Sequence, residues 1–144
     1  MPARPVSEVI GKRPIPAAGL SACVSDAASI MKRYRTSAVL VVDEGILRGI
    51  FTERDLACRV IAERLDPQQT RLDAVMTRKM RTITPEKPFG HALHLMFEGG
   101  FRHVPVVDRA GHPLGVVAAH DALAMDSLLL GEELVRREEI SVIL

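Results

Sequence analysis

The stretch Gly49-Ile50-Phe51-Thr52-Glu53-Arg54-Asp55 predicts the end of a strand, a sharp turn and the first turn of a helix. Its apolar residues follow a glycine and suit a buried strand, and Thr52 stands where a helix should begin. The helix is predicted to continue to about Leu65, because apolar residues recur beyond Asp55 with a spacing near 3.6 residues. The start of the helix therefore displays a hydroxyl and a carboxylate on one side.

Two interpretations of Thr52 and Asp55 are open on this stretch alone. Thr-x-x-Asp before an apolar run is a capping box, in which both side chains bind free backbone N–H groups and stabilise the helix by about 1 kcal/mol. Alternatively, the hydroxyl and the carboxylate bind a ligand. The choice depends on the rest of the chain, where the same stretch occurs again.

The second copy is Gly115-Val116-Val117-Ala118-Ala119-His120-Asp121, 66 positions downstream. The likeness extends upstream, where residues 39–43 (VLVVD) correspond to residues 104–108 (VPVVD). Residues 6–10 likewise correspond to residues 72–76. Self-similarity over such a distance indicates an internal duplication, and it predicts two units of the same structure.

Composition is that of an ordinary globular domain. A chain of 144 residues can bury one sizeable core or two small cores packed together. Nineteen basic and eighteen acidic residues leave a formal charge of +1, which argues against nucleic acid or membrane as a partner. Cys23 and Cys58 lack metal-ligand spacing and are expected to be reduced thiols. Together with the absence of a signal peptide or a membrane span, they predict a cytoplasmic protein.

The chain order predicts three segments. Residues 1–66 form the first repeat and residues 67–130 the second, with Pro67 in the connector between them. Each repeat is expected to contain a helix, two short strands and a second helix. Residues 131–144 have no counterpart in the first half, and their apolar end is expected to pack on a partner subunit or on the chain itself.

These two units resemble a tandem pair of CBS domains, known as a Bateman module. The resemblance covers about residues 6–128 and is based on PVVD before the hairpin turn and on G-h-h-T-x-x-D after it, where h is apolar. It implies an α/β (α+β) fold in which the two repeats pack through their sheets about a pseudo-twofold axis. It also implies two clefts between the repeats. By its length, the chain resembles the stand-alone CBS proteins, which are not attached to an enzyme or a transporter.

In this family the clefts bind adenosine-containing ligands, namely AMP, ADP or ATP and in some members S-adenosylmethionine or a dinucleotide such as NADH. The resemblance implies that Thr52 and Asp55 hold the ribose of such a ligand in the first cleft. The carboxylate can accept hydrogen bonds from both ribose hydroxyls. The other expected contacts are Arg54, Arg102 and His103 for phosphate and Ile15, Pro16 and Val39 for the base.

The second cleft departs from the family pattern. Asp121 is present, but Ala118 replaces the Ser or Thr of the motif. Ser37 and Ala38 stand where a basic pair would contact phosphate. We therefore expect one competent cleft at Asp55 and one weak or empty cleft at Asp121.

Two further kinds of site receive less support. His91, His94 and Glu98 share one helical face, as metal ligands could, but a solvated surface explains them more simply. No Ser/His/Asp arrangement, P-loop, glycine-rich dinucleotide motif or HExxH occurs, so we expect no catalysis.

Two functions therefore remain from different classes. The first is a regulatory module that binds an adenine nucleotide and signals by conformational change to a separate, unidentified partner protein. The second is a structural module that only dimerises and keeps a vestigial cleft. Both predict a homodimer, because apolar residues are expected on the outer helical faces of such a pair. Those residues are Leu56, Cys58 and Val60 in the first repeat and Leu123, Leu128 and Leu129 in the second.

Overall fold

Each half of the chain contributes a small antiparallel hairpin with helices against it. The computed structural model describes residues 4–124. The first half contains helix α1 (Val6–Ile10), strand β1 (Ala17–Gly19), helix α2 (Val24–Tyr34), strands β2 (Ala38–Asp43) and β3 (Ile46–Thr52), and helix α3 (Glu53–Asp55), which continues as a π-helix over Leu56–Ile61. The second half contains helices α4 (Leu72–Val75) and α5 (Phe89–Gly99) and strands β4 (His103–Val107) and β5 (Pro113–Ala118).

The two sheets repeat one topology. Strand β2 lies between β1, which is parallel to it, and β3, which is antiparallel. In the second half β4 and β5 are antiparallel, and a single parallel bridge from Ile83 to Val106 stands where β1 pairs in the first half. The register shifts once in each hairpin, between Val41 and Val42 and between Val106 and Val107. The duplication thus extends to the irregularities of the strands, and the predicted α/β fold is confirmed.

The helix after Thr52 differs from the prediction. A single α-helical turn over Glu53–Asp55 is followed by six residues of π-helix that end at Ile61. The chain then leaves the helix through Arg64, whose φ is 58°. A π-helix is rare and frequently occurs at functional sites. Within residues 4–124, no helix has both the length and the apolar character needed to span a bilayer.

The two halves exchange their first helical turns. Helix α1 buries Val6 and Ile10 in the core of the second half. Helix α4 buries Leu72 and Val75 in the core of the first half. Backbone hydrogen bonds hold both exchanged turns in place, from Val6 N–H to the carbonyl of Lys87 at 2.8 Å and from Leu72 N–H to the carbonyl of Ala22 at 2.9 Å. Neither core is complete without a segment of the other half.

A third buried cluster lies between the sheets. Ala38, Leu40 and Ile50 form it on the face of the first sheet that points away from that half's helices. Met80 and Val116 of the second half pack against it. The two halves therefore pack through their sheets, as the resemblance implies, and this packing places the ends of β3 and β5 beside the segments that form the clefts.

Gly49 and Gly115 are the points where the exchanged turns approach the sheets. A Cβ atom on Gly49 would lie 2.5 Å from Met76 Sδ and 3.0 Å from the carbonyl oxygen of Thr77. A Cβ atom on Gly115 would lie 3.3 Å from Ile10, at the equivalent place in the other half. Glycine at these two positions lets the end of each exchanged turn lie directly on a strand.

Gly49→Val is expected to lower the free energy of unfolding by about 1–3 kcal/mol, because the added side chain overpacks the contact with Met76 and Thr77. Urea unfolding followed by circular dichroism measures the change. Gly90→Ala is the control, because a Cβ at Gly90 meets nothing within 4 Å and alanine favours the helix. Equal stability of Gly49→Val and the parent would contradict the close approach.

Candidate functional site

A cleft of about 740 Å³ opens between the two halves. This volume falls in the range of about 300–1,000 Å³ that is usual for small-molecule sites. One wall is the end of β3 with the start of α3, and the opposite wall comes from the second half. The lining residues are Ser37, Ile50, Thr52, Glu53, Arg54, Asp55, Thr77, Lys79, Met80, Arg81, Gly100, Phe101, Arg102, His103, Ala119, His120 and Leu123.

Thr52 and Asp55 form a complete capping box on the cleft wall. Thr52 Oγ1 accepts a hydrogen bond from the N–H of Asp55 at 3.2 Å, and Asp55 Oδ2 accepts one from the N–H of Thr52 at 3.0 Å. The carboxylate is largely buried, with 14% of its side chain exposed. A carboxylate offers about four acceptor positions, so the cap fixes its orientation without exhausting its hydrogen-bonding capacity. The capping role is therefore real, and it is compatible with ligand binding.

Arg59 contacts Asp55 from outside the cleft. Its Nε lies 3.5 Å from Asp55 Oδ1, and its Nη1 donates to the carbonyls of Val75 and Met76 at 3.1 and 3.3 Å. Arg59 does not line the cleft, whereas the segment that begins at Thr77 does. Arg59 therefore connects the carboxylate of Asp55 on one wall to Val75 and Met76, which directly precede the opposite wall in the chain.

The charge of the cleft favours an anion. Four side chains in the lining are permanently cationic and two are carboxylates. The cations are Arg54, Lys79, Arg81 and Arg102, and the carboxylates are Glu53 and Asp55. Guanidinium groups bind phosphate through paired, charge-assisted hydrogen bonds, which are about twice as strong as neutral ones.

The structure places the expected phosphate contacts Arg54, Arg102 and His103 in the same cleft as Thr52 and Asp55. Lys79 and Arg81 also line this cleft and were not predicted. The repeat could have indicated them, because they stand before Ile83 in the second half as Arg13 stands before Ile15 in the first.

The three residues expected to line the base of a ligand in this cleft lie elsewhere, which corrects that part of the sequence analysis. Val39 is fully buried in the core of the first half. Pro16 lines a second pocket, and Ile15 is 39% exposed without lining either cavity. The difference arises because the packing of the halves brings the segment before Ile83 to the cleft at Asp55. The same packing brings the segment before β1 to the second pocket.

The second pocket is much smaller, at about 140 Å³. It lies beside Ala118 at the end of β5, and Arg13 and Pro16 form part of its wall. Asp121 is 8% exposed, and its Oδ2 accepts a hydrogen bond from the N–H of Ala118 at 2.8 Å. Its Oδ1 accepts a second hydrogen bond from Arg13 Nη1 at 3.0 Å. Half of the capping box thus persists without the hydroxyl.

Each half of this fold has a carboxylate at the start of a helix, and each half matches the same family of known proteins. Residues 6–61 and residues 72–127 each match the family model of the CBS domain. The chain belongs to the CBS domain family. The predicted resemblance to a tandem pair of CBS domains is therefore confirmed, and the structure is that of a CBS domain pair.

Named relatives support the assignment. The CBS domain-containing protein YhcV of Bacillus subtilis (strain 168) is 35% identical over 98 residues, which are 68% of this chain and 69% of that protein. The CBS domain-containing protein CBSCBSPB1 of Arabidopsis thaliana is 41% identical over 87 residues, or 60% of this chain. That match spans only 16% of the plant protein, about a sixth of its length.

A solved structure has the same fold. The CBS domain pair of protein MJ0100, in complex with 5′-methylthioadenosine and S-adenosyl-L-methionine, superposes with a TM-score of 0.76 at 28% identity. The superposition covers 85% of this chain and 98% of that one. The fold of a CBS domain pair is thus common to both chains.

His103 lies between the two clefts of this CBS pair and lines both. Its Nε2 is 2.6 Å from Ser37 Oγ, a hydrogen-bond distance that joins the starts of β4 and β2. Burial lowers the pKa of His103 below its ordinary value of 6.5, and the charge of His120 lowers it further. Arg102 acts in the same direction, whereas the carboxylates of Glu53 and Asp121 partly oppose the shift.

The stability of the CBS pair is expected to fall as the pH drops below about 6.5, because the unfolded chain then protonates His103 more readily than the folded chain does. The contribution is fully present above pH 6.5 and is lost as the pH falls through the lowered pKa of the folded state. Urea unfolding between pH 5.5 and 8 measures it. His103→Asn should flatten this part of the profile, and His94→Asn, at an exposed position, should not. Identical pH profiles for the two variants would contradict the lowered pKa.

The histidines of α5 do not gather into a site. His94 Nε2 pairs with Glu98 Oε1 at 3.0 Å on an exposed face. No group of three or more His, Cys, Asp or Glu side chains suited to a metal ion occurs within residues 4–124.

The outer faces of the CBS pair differ from the sequence prediction. Val60 is fully buried in the first core, and Leu56 packs against that core and is partly buried. Cys58 is exposed, and Leu123 is 67% exposed. The predicted Leu128 and Leu129, and the whole segment 131–144, lie outside the described residues.

Proposed function

We propose that this CBS pair is a non-catalytic regulatory module that binds an adenosine-containing nucleotide in the cleft at Asp55 and signals to a separate protein. The observation that carries the proposal is the composition of that cleft. A fixed, largely buried carboxylate at a helix start faces a cationic wall across about 740 Å³. A nucleotide suits both features, because its ribose diol can donate to the carboxylate and its phosphate can bind the cationic wall.

The proposed binding mode uses both halves of the chain. Asp55 accepts hydrogen bonds from the ribose hydroxyls, and Thr52 keeps the carboxylate in position through the cap. The adenine lies against the apolar side chains of Ile50 and Met80, which replace the three residues that the sequence suggested. Ile50 belongs to β3 and Met80 to the opposite wall, so the base would be held between the halves.

The phosphate is proposed to bind at the other end of the cleft. Arg102 follows α5, while Lys79 and Arg81 lie on the segment after α4, and all three line the cleft. Their side chains come from the second half, whereas Arg54 comes from the first. AMP, ADP and ATP fit this charge, and S-adenosylmethionine and NADH are the other candidates to test. The adenosine-based ligands of the MJ0100 pair, at 28% identity, support the ligand class.

A ligand that spans the cleft can transmit a signal. It would contact Asp55 on one wall and Arg102 on the other, and Arg59 joins Asp55 to the carbonyls of Val75 and Met76. A ligand shifts a conformational equilibrium only if it binds the two states unequally. Contacts with both walls meet that condition, because closing the cleft improves them together. The partner protein would bind the surface whose shape changes when the cleft closes.

We further propose that the module is a cytoplasmic homodimer. Apolar side chains remain exposed at the end of the π-helix and just after it, with Ile61 57% and Leu65 42% exposed. Burying such a surface against a second copy removes apolar area from water. The two cysteines are free thiols in the structure, which suits a reducing compartment.

One observation favours the alternative of a structural module with a vestigial cleft. The capping box gives both Thr52 and Asp55 a role that needs no ligand. Under this alternative the protein would dimerise, and no adenine nucleotide would stabilise it.

Thermal unfolding with AMP, ADP, ATP, NADH or S-adenosylmethionine distinguishes the two functions. A ligand present at 100 times its dissociation constant stabilises the folded state by about 2.7 kcal/mol, which raises the unfolding temperature by several degrees. A shift with at least one of the five is expected. Unchanged unfolding with all five at millimolar concentration would contradict the proposed function and leave the structural alternative.

A further inference from the structure

The two cleft carboxylates share two contacts, but the arginine that supplies one of them has a different origin in each half. In each half, one carboxylate oxygen accepts the N–H at the end of the preceding strand. The other oxygen faces an arginine that also donates to the carbonyl of a valine in an exchanged helical turn. For Asp55 these residues are Arg59 and Val75, and for Asp121 they are Arg13 and Val9.

The two arginines approach from opposite sides. Arg59 comes from the same helix as Asp55, four residues on, and lies outside the cleft at 3.5 Å from Oδ1. Arg13 comes from the segment before β1, lines the second pocket and lies 3.0 Å from Asp121 Oδ1. Arg59 thus leaves the cleft side of Asp55 accessible, whereas Arg13 occupies the cleft side of Asp121.

We propose that Arg13 is an intramolecular ligand that closes the second cleft to nucleosides and limits the module to one adenine nucleotide per chain. The proposal rests on the proposed function, since it assigns the Asp121 carboxylate the same role toward ribose as that of Asp55. The guanidinium takes the acceptor oxygen that a ribose diol would need.

A free ligand competes poorly with this contact for two reasons. The hydrogen bond from Arg13 joins a cation to an anion, whereas a ribose hydroxyl donates to the carboxylate as a neutral group. Arg13 is also tethered, so its effective concentration at Asp121 is high and independent of any dilution of the protein. The pocket that remains, at about 140 Å³, is below the usual range for small-molecule sites.

The experiment uses the Asp55→Ala chain, in which the first cleft cannot contribute ribose binding. Adenosine is the probe, because it carries no phosphate that Arg35, His103 or His120 in the wall of the second pocket could attract, so its binding reports on the ribose and the base alone. Isothermal titration with adenosine should detect no binding to Asp55→Ala. The Asp55→Ala/Arg13→Ala chain should bind one adenosine per chain, because Asp121 then has a free acceptor oxygen and the pocket is larger.

A third chain identifies the site. Adding Asp121→Ala to the double variant should abolish the new binding. If Arg13→Ala does not fold, as judged by circular dichroism, Arg13→Gln serves instead, since its shorter side chain also leaves the pocket. A folded double variant that binds no adenosine would overturn the proposal, and so would adenosine binding at Asp121 with Arg13 in place. Failure of the proposed function would show separately, as the absence of any nucleotide effect on the parent chain.

Discussion

Asp55→Ala is expected to abolish the rise in unfolding temperature that an adenine nucleotide produces in the parent chain. The ribose would lose two hydrogen bonds to a carboxylate, each of which is worth about 1.5–3 kcal/mol. A loss of about 3 kcal/mol or more weakens binding by at least about 100-fold. Thermal unfolding with the nucleotide that stabilises the parent chain, followed by titration calorimetry, measures the effect.

The cap must be separated from the site, because Asp55→Ala also removes a hydrogen bond to the N–H of Thr52. That loss alone should lower stability by about 1 kcal/mol without ligand. Asp26→Ala is the matched control, since Asp26 is an exposed carboxylate in the first turn of α2, away from the cleft. It should lower the unfolding temperature slightly and leave the nucleotide effect intact. If Asp55→Ala keeps the nucleotide effect, Thr52 and Asp55 act only as a helix cap.

The duplication made most of the fold predictable. The matched strands β2 and β4, the glycines at positions 49 and 115, and the two acids at positions 55 and 121 follow from one repeat. A tight turn is also visible locally, as Glu44 and Gly45 with φ of 50° and 78° show. Thr52, Asp55 and Arg102 reach one cleft because strand ends and helix starts coincide in every such repeat.

The exchange of α1 and α4 could not be read from the sequence. A helical turn of four or five residues shows which of its sides is apolar, but that side fits either core. Since the exchange determines which segment borders which cleft, Pro16 was expected at the wrong cleft and Lys79 and Arg81 were overlooked.

Val39 and Arg13 illustrate two other limits. Strand β2 is buried on both faces over residues 38–41, so its apolar run gives no alternation from which to choose a face. Val39 turned out to face the helices of its own half. Arg13 is a single charged residue in an extended segment, and its contact with Asp121 spans 108 positions. A lone contact over such a distance leaves no periodic signal.

Leu72→Ala is expected to have the largest effect on stability, lowering the free energy of unfolding by about 2–5 kcal/mol. Leu72 is fully buried in the core of the first half although it belongs to the second repeat. Truncation leaves a cavity where the exchanged turn enters that core. Urea unfolding measures the loss, and Leu123→Ala, at a position 67% exposed, should change stability by about 0.5 kcal/mol or less.

The same variant tests whether the exchange joins the two halves into one cooperative unit. Because each core needs a helical turn from the other half, Leu72→Ala should lower the urea midpoint of unfolding of the whole molecule and not of the first half alone. Fluorescence of Tyr34, the single tyrosine, reports on the first half, and circular dichroism reports on both. Coincident transitions at a lowered midpoint are expected. Two separate transitions, with only the tyrosine signal displaced, would mean that the halves unfold independently and that the exchanged turns contribute little to the coupling between them.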